Sequence, residues 1–167
     1  MVTQAIQEHR IDLAITGGGI GDSRIKHQTL GDAGYLCVYD KRRRNEQGVM
    51  LLDEFIAREH ILISYSGITG AVDDGLEELG LTRKVKMAST HFAALPFLLA
   101  GSEAVATIPD FAAREIAKDS RFAVSPCPLM LPRFSVVIGW HYDAVRDPAL
   151  LIVRDQASRL ITKKLDN

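Results

Sequence analysis

The sequence is poor in the residues that mark several classes of protein. Only two cysteines occur, Cys37 and Cys127, which are too few for a disulfide framework and lack the spacing of a zinc site. We expect both to be reduced core residues. No apolar run reaches the ~18 residues of a membrane-spanning helix, and the N-terminal stretch MVTQAIQEHR is too polar for a secretory signal. These absences predict a cytoplasmic protein that has no contact with a membrane.

Charge of either sign is not in excess. The chain carries 20 lysines and arginines against 21 aspartates and glutamates, and 47% of its 167 residues are hydrophobic. This balance argues against disorder and against a strongly basic nucleic-acid surface. The basic run Lys41–Arg44 lacks interleaved aromatic residues, so we interpret it as a solvated loop. The length suits one ordinary domain or two small lobes.

Residue patterns that would support catalysis, a metal or a nucleotide are missing. The five histidines form no HxxxH or HxH pair, and no GxSxG nucleophile elbow occurs. The run Gly17–Gly21 lacks the GxGxxG spacing because Asp22 stands where glycine is needed, so it predicts a sharp turn or a close backbone approach to a ligand. We interpret the acidic pairs Asp73-Asp74 and Glu77-Glu78 as the polar surface of a helix. We expect no enzyme activity, no metal and no cofactor.

Hydrophobic periodicity divides the chain into alternating strands and helices. An apolar helical segment ends at Gly101, and a strand candidate runs over Ala104–Ile108. Pro109 stops this strand and Asp110 opens another helix, an alternation that predicts an open α/β sheet. Further strands are predicted at Asp12–Thr16, Gly34–Tyr39, Ile61–Ser64, Arg83–Ala88 (with Val85 and Met87 pointing inward) and Ser135–Trp140. Further helices are predicted at Leu51–Ile56, at Val72–Leu79 with Gly80 as its cap, and from Asp147-Pro148 through Leu150, Val153, Ala157 and Leu160. An extended connection is predicted at Phe122–Arg133.

Two junctions between a strand and a helix are the strongest candidates for a binding site. Ser64–Gly70 follows one predicted strand, and Ser89–Phe92 follows another. Open α/β sheets bind ligands at the carboxyl ends of their strands, and free N–H groups at a helix start favour a small anion by about 0.3–1 kcal/mol. The turn Pro109-Asp110 would lie near the same end of the sheet. Plain helix capping by serine and threonine is the alternative.

Four segments of the chain share their order and spacing with one known family. They are HRIDLAI (His9–Ile15), ILISYSGITGAVDDGLEELGL (Ile61–Leu81), HFAALPFLLAGSEAVATIPDFAAREIA (His91–Ala117) and VVIGWHYDAVRDPALLIVRDQASRLI (Val136–Ile161). Together they resemble the effector-binding domain of LysR-type transcriptional regulators, in the branch that holds nodulation and aromatic-catabolism regulators. The resemblance covers nearly the whole chain, from about Val2 to Ile161.

This resemblance implies an α/β fold with two lobes, like that of periplasmic (type 2) binding proteins. Residues 33–135 would form one complete lobe, and residues 1–32 and 136–167 would form an incomplete second lobe. A small effector, aromatic or bearing a carboxylate, would bind in the cleft between the lobes. The effector-binding residues implied are Gly17, Gly18, Tyr65, Ser66, Gly67, Ile68, Thr90, His91, Phe92, Pro109 and Phe111.

The same resemblance sets expectations about partners. The family binds DNA through a winged helix-turn-helix, and this sequence has no counterpart of it, so we expect no DNA binding by this chain alone. Open strand edges in the incomplete lobe favour a homodimer or higher oligomer. A free-standing solute-binding protein of a transport system is the alternative function. An enzyme on an α/β scaffold is a third reading, but it lacks a catalytic set of residues.

Overall fold

The computed structural model describes residues 2–44, 48–64 and 70–165, and it divides the chain into two compact units. One unit is Met1–Ala33 with Arg133–Asn167, and the other is Gly34–Pro132. The helices are α1 (Val2–Gln7), α2 (Leu52–Ala57), α3 (Ala71–Glu77), α4 (Leu95–Leu99), α5 (Asp110–Ile116) and α6 (Pro148–Leu165). The strands are β1 (Leu13–Gly17), β2 (Ile25–Ala33), β3 (Tyr35–Asp40), β4 (Glu59–Ile63), β5 (Lys84–Ser89), β6 (Val105–Pro109), β7 (Phe122–Pro126) and β8 (Phe134–His141).

The first unit is built on a three-stranded antiparallel sheet in the order β1-β8-β2. The central strand β8 is buried from Val136 to His141, which confirms the strand predicted from its continuous apolar run. Strand β2 was not predicted, because Lys26–Thr29 are polar and exposed, and because a register shift at Gly31 interrupts its pairing. This strand lies at the sheet edge, where polar side chains meet solvent.

Helix α6 covers one face of this sheet. Ala157, Ile161 and Leu165 pack around the cluster that contains Ile138 and Trp140. The predicted helix is confirmed, but its predicted apolar face is only partly the buried one. Val153 and Leu160 are 56% and 65% exposed, so the helix also presents apolar side chains to solvent.

The second unit is built on a mixed five-stranded sheet in the order β5-β4-β6-β3-β7. Strand β4 pairs in parallel with β5 and β6, whereas β3 pairs antiparallel with β6 and β7. One core cluster surrounds Val38 and Leu99, and a second surrounds Phe55 and Leu76. The predicted extended connection contains the edge strand β7, whose last residue is Pro126, a position where the missing N–H is tolerated.

Two predictions about β5 and the α3 cap have different outcomes. Met87 was predicted to point inward but is 42% exposed, because the pairing of β5 with β4 skips a residue between Val85 and Met87 and breaks the alternation. Gly80 ends the α3 turn as predicted, with φ +67 and an N–H that donates to the Glu77 carbonyl at 2.9 Å.

Two ion pairs of the second unit have a buried arginine, and one residue of each pair, Arg44 and Asp73, was predicted to lie on the surface. The Arg44 side chain is 3% exposed, and its Nε and Nη2 each donate to Glu54 at 2.8 Å. The prediction of a solvated loop is therefore wrong for Arg44, the last residue of the basic run. The Arg83 side chain is 2% exposed and is paired with Asp73. Burial of a charge requires such a partner. Within the described ranges, no helix is long and apolar enough to cross a membrane.

Candidate functional site

Three strand ends of the second unit meet at one edge of its sheet. Strands β4 and β5 run in parallel with Ile63 opposite Ser89, and the Ser64 N–H donates to the Ser89 carbonyl at 3.0 Å. Strand β6 lies on the other side of β4 in the same direction and ends at Pro109. We call Ser64, Ser89–Phe92 and Pro109–Phe111 the strand-end site. It has the position at which open α/β sheets bind ligands.

The turn after β5 carries most of the exposed polar groups of the strand-end site. The Ser89 hydroxyl oxygen accepts the His91 N–H at 3.2 Å and so shapes the turn. Thr90, His91 and Phe92 are exposed, with 40% of Phe92 accessible. The turn therefore carries a hydroxyl, an imidazole and an aromatic ring on its exposed surface.

The helix expected directly after this turn differs from the prediction. A 3-10 turn occupies Phe92–Ala94, and α4 begins only at Leu95 and has five residues. So short a helix adds few aligned peptide dipoles, and the predicted dipole attraction for an anion is correspondingly small. The polar groups of the turn remain the main feature of this junction.

The turn after β6 is fixed by a local hydrogen bond and by one to Gly34, the residue before β3. The Asp110 N–H donates to the Gly34 carbonyl at 2.9 Å, and the Asp110 carboxylate accepts the Phe111 N–H at 2.8 Å. Arg114, one helical turn later, lies 3.6 Å from the same carboxylate and is 46% exposed. Phe111 is half-buried beside Pro109, where it adds apolar surface.

Sequence reasoning missed two side chains near this edge, Tyr35 and Arg114. Tyr35 begins β3 opposite Pro109, and burial raises the pKa of its phenol, which therefore stays protonated at neutral pH. The only signal for Arg114 is its i+4 spacing from Asp110 on a predicted helix. Tyr35 follows only from the antiparallel pairing of β3 with β6.

The remaining predicted site residues lie elsewhere. Tyr65, Ser66, Gly67 and Ile68 fall outside the described residues. Gly17 and Gly18 belong to the first unit, at and just after the end of β1, and the Gly18 N–H donates to the Ser135 carbonyl at 2.8 Å. Gly18 has φ +85, a conformation that requires glycine, as expected for a sharp turn. A side-chain carbon at Gly18 would meet no atom within 4 Å, so the surrounding space is open.

Metal chemistry has no evident site in the part of the chain that the structure describes. No cluster of three or more histidine, cysteine, aspartate and glutamate side chains there could hold a metal ion. The strand-end site itself presents polar donors beside aromatic rings. Such a mixture is typical of small-molecule binding sites, in which a few polar groups orient a largely apolar ligand.

Comparison with known proteins points to one family. The model of the LysR substrate binding domain matches residues 1–160. The transcriptional activator NagR of a Ralstonia species is 28% identical over 121 residues, which cover 72% of this chain and 40% of NagR. Nodulation protein D 1 of Sinorhizobium fredii is 26% identical over 137 residues, which cover 78% of this chain and 42% of that protein. The chain thus spans well under half the length of these two relatives.

A solved structure agrees with these matches. The regulatory domain of MexT, a transcriptional activator in Pseudomonas aeruginosa, superposes with a TM-score of 0.82 at 26% identity. The alignment covers 94% of this chain and 78% of that domain. The two sheets described above are therefore those of a two-lobe fold like that of periplasmic binding proteins.

Proposed function

This chain belongs to the LysR substrate-binding domain family, and from that premise we propose that it senses a small aromatic or carboxylate-bearing molecule at the strand-end site. Effector binding in a transcriptional regulator is the role of this domain in the family. The observation that carries the proposal is the meeting of three strand ends, after which Thr90, His91 and Phe92 are exposed.

The chemistry of the strand-end site suits such an effector. Phe92 and Phe111 supply aromatic surface for a ring, while the Thr90 hydroxyl and the His91 imidazole supply polar contacts for a carboxylate. Pro109 holds the turn between β6 and α5. We propose the same ligand-binding role for Gly17, Gly18, Tyr65, Ser66, Gly67 and Ile68 on the family resemblance alone.

Two other functions are less well supported. A solute-binding protein of a transport system would share the fold, but the relatives reported above are named as transcriptional activators and a nodulation protein. Those relatives are regulators and not enzymes, and we propose that this chain has no catalytic activity of its own.

The action of the whole regulator extends this proposal. We propose that effector binding shifts the relative pose of the two lobes, and that DNA is bound through a winged helix-turn-helix of the kind that the family carries. Such a shift requires a higher affinity for one pose than for the other. A homodimer or higher oligomer and a cytoplasmic location belong to the same proposal.

A thermal-shift screen tests the effector class. The chain is heated with aromatic acids, flavonoids and acyl metabolites, and a ligand that binds only the native state stabilises it by about 2.7 kcal/mol at 100 times its Kd. We expect aromatic carboxylates to raise the melting temperature more than their neutral amides. Backbone amide shifts in the nuclear magnetic resonance spectrum should then change at Thr90, His91 and Phe92. A ligand that stabilises the chain but leaves these amides unchanged would refute the strand-end site.

A further inference from the structure

A cavity is present in the second unit, lined by residues that do not belong to the strand-end site. It has a volume of about 720 Å³ and lies between α3 and the start of β5. This volume is within the range of roughly 300–1,000 Å³ typical of small-molecule sites. The residues that line it are Asp73, Leu76, Glu77, Gly80, Leu81, Thr82, Arg83 and Val85.

The connection from α3 to β5 forms the wall of this cavity. Gly80 adopts φ +67, and the Leu81 N–H donates to the Leu76 carbonyl at 2.9 Å, so the chain turns back over the end of the helix. Leu76, which is 1% exposed, and Leu81 belong to the core around Phe55. The cavity thus has an apolar floor fixed by the core, which Val85 extends.

The charges of the side chains that line the cavity do not sum to zero. Arg83 directs Nε and Nη2 to the Asp73 carboxylate at 2.9 and 2.7 Å, so these two charges neutralise each other. Glu77 also lines the cavity and is exposed, and its side chain makes no hydrogen bond or ion pair with the described residues. Its carboxylate therefore leaves the lining with one net negative charge.

The helix adds to this negative potential. Helix α3 carries the acidic residues Asp73, Asp74 and Glu77, and acidic Glu78 follows it directly. The helix has no basic residue in its last turn. The carbonyl end of α3 adds little to this potential, because the helix has seven residues and its Asp74, Leu76 and Glu77 carbonyls accept backbone N–H groups.

We propose that this cavity binds a small organic cation with an apolar body, of the arylalkylammonium class. The apolar part packs on Leu76, Leu81 and Val85, and the ammonium group meets the Glu77 carboxylate beside the Thr82 hydroxyl. This charge preference is the opposite of that proposed for the strand-end site. The inference does not depend on the effector proposal, because the two sites share no residue.

Calorimetry with three probes of similar shape tests the charge preference. Protonated phenethylamine carries a positive charge, 2-phenylethanol carries none, and 3-phenylpropanoate carries a negative charge. We expect the amine to bind more tightly than the alcohol, and the carboxylate not to bind in this cavity. Raising the ionic strength should weaken binding of the amine, because the Glu77 carboxylate is exposed to solvent. Equal affinities for the amine and the alcohol would overturn the proposal.

Matched variants then locate the contact. Glu77→Gln removes the charge with almost no change in size, and we expect it to weaken binding of phenethylamine about two- to five-fold. Glu78→Gln removes the adjacent charge, which is exposed and outside the cavity lining, and should leave the affinity unchanged. Thr82→Trp should place an indole ring in the cavity and abolish binding. Equal effects of the two glutamine variants would show that only the general field of α3 acts, and would overturn the assigned contact.

Methyl shifts in the nuclear magnetic resonance spectrum give a readout that does not rely on the variants. On addition of phenethylamine, the methyl groups of Leu76, Leu81 and Val85 should shift, and those in the core of the first unit should not. Changes elsewhere would refute the site. Light scattering tests whether a second copy of the chain occupies the cavity instead. If the amine did not bind and Thr82→Trp dissociated a dimer that the wild-type chain forms, the cavity would be an interface between copies. The proposal would then be wrong.

Discussion

Arg83 and Asp73, ten residues apart in the sequence, form a bidentate ion pair at the start of α3. The guanidinium donates from Nε to Oδ1 at 2.9 Å and from Nη2 to Oδ2 at 2.7 Å. Asp73 also accepts the Gly70 N–H at 2.7 Å, so one carboxylate holds both the first turn of α3 and the start of β5. Burial acts to raise the pKa of Asp73, but Arg83 and the Gly70 N–H together outweigh it, so the pKa is lowered from its usual value.

Replacement of Asp73 by asparagine should destabilise the chain, because Arg83 would keep a buried charge without its partner. We expect a loss of about 3 kcal/mol in the free energy of unfolding, measured by urea denaturation at pH 7. Asp74→Asn is the matched control, since Asp74 is the exposed neighbour on the same helix, and it should change the free energy by less than about 0.5 kcal/mol. Similar losses in both variants would show that the pair does not stabilise the fold.

His60 should make the chain sensitive to mild acid. It is fully buried, its Nε2 lies 2.9 Å from the Phe55 carbonyl, and its Nδ1 has no hydrogen-bond partner among the described residues. Burial lowers the pKa of His60 to about 4. Because the unfolded chain takes up this proton near pH 6.5 and the folded chain only near pH 4, stability falls as the pH drops through that window.

The test compares wild type with His60→Gln, whose amide can replace the hydrogen bond to Phe55. Between pH 7.5 and pH 5, urea denaturation should show that wild type loses about 2 kcal/mol more than the variant. Losses of the same size would mean that His60 is not the group responsible.

Asp40 should stabilise the second unit except in strong acid. It is fully buried, and it accepts hydrogen bonds from Arg42 and from the Gly101 N–H at 2.7 Å. The Arg42 side chain and the Gly101 N–H hold the pKa of Asp40 well below its usual range although burial acts against them. A depressed pKa contributes stability that is complete above the unfolded pKa and is lost as the pH falls through the folded pKa.

We expect Asp40→Asn to cost about 2 kcal/mol at pH 7, and the difference from wild type to shrink below about pH 4. Asp119→Asn is the control, because Asp119 also pairs with an arginine two residues later but is 40% exposed. It should leave the free energy of unfolding nearly unchanged, because an exposed ion pair contributes little. A pH-independent difference for Asp40→Asn would contradict the assigned role of its charge.

Effector binding should depend on Thr90. If its hydroxyl donates a hydrogen bond to the ligand, Thr90→Ala should weaken binding by about 0.5–1.5 kcal/mol in calorimetry with the effector found by thermal shift. Asp74→Asn serves as the control, because Asp74 is exposed on α3 and lies outside the strand-end site. Asp73 is not suitable, because it is partly buried in an ion pair with Arg83. An unchanged affinity in Thr90→Ala would show that its hydroxyl does not contact the effector.

Association of the chain should involve the first unit. Strand β1 lies at a sheet edge and exposes Ile15 (48%), and α6 exposes Ile152 and Leu160 (both 65%) at positions eight residues apart on one helix face. We expect light scattering to show a dimer or higher oligomer at tens of micromolar, and Ile152→Lys with Leu160→Lys to shift it towards monomer. Leu51→Lys, at a 67% exposed site of the second unit, is the control. A monomeric wild type would contradict the expectation.

Elements with a strong local pattern could be predicted from the sequence. The buried strand at Ser135–Trp140 is found at Phe134–His141, and the strand predicted at Ala104–Ile108 is found at Val105–Pro109. Strand β2 could not be predicted, because four polar residues follow its first buried residue and hide any alternation. Of the eleven predicted site residues, five lie at or after the ends of strands that share one sheet edge, namely Thr90, His91, Phe92, Pro109 and Phe111. Gly17 and Gly18 belong to the other unit, and the other four lie outside the described residues.

The sequence by itself determined the alternation of strands and helices, the positions of turns such as Gly80 and the family, because these depend on periodicity, chain stops and residue order over short distances. Only the tertiary structure decided which strands are neighbours, since β4 pairs with both β5 and β6 through contacts between distant segments. That pairing brings Ser89 and Pro109 to one edge. The tertiary structure also decided that Arg83 is buried, because the energy of a buried charge depends on whether a partner such as Asp73 lies beside it in space.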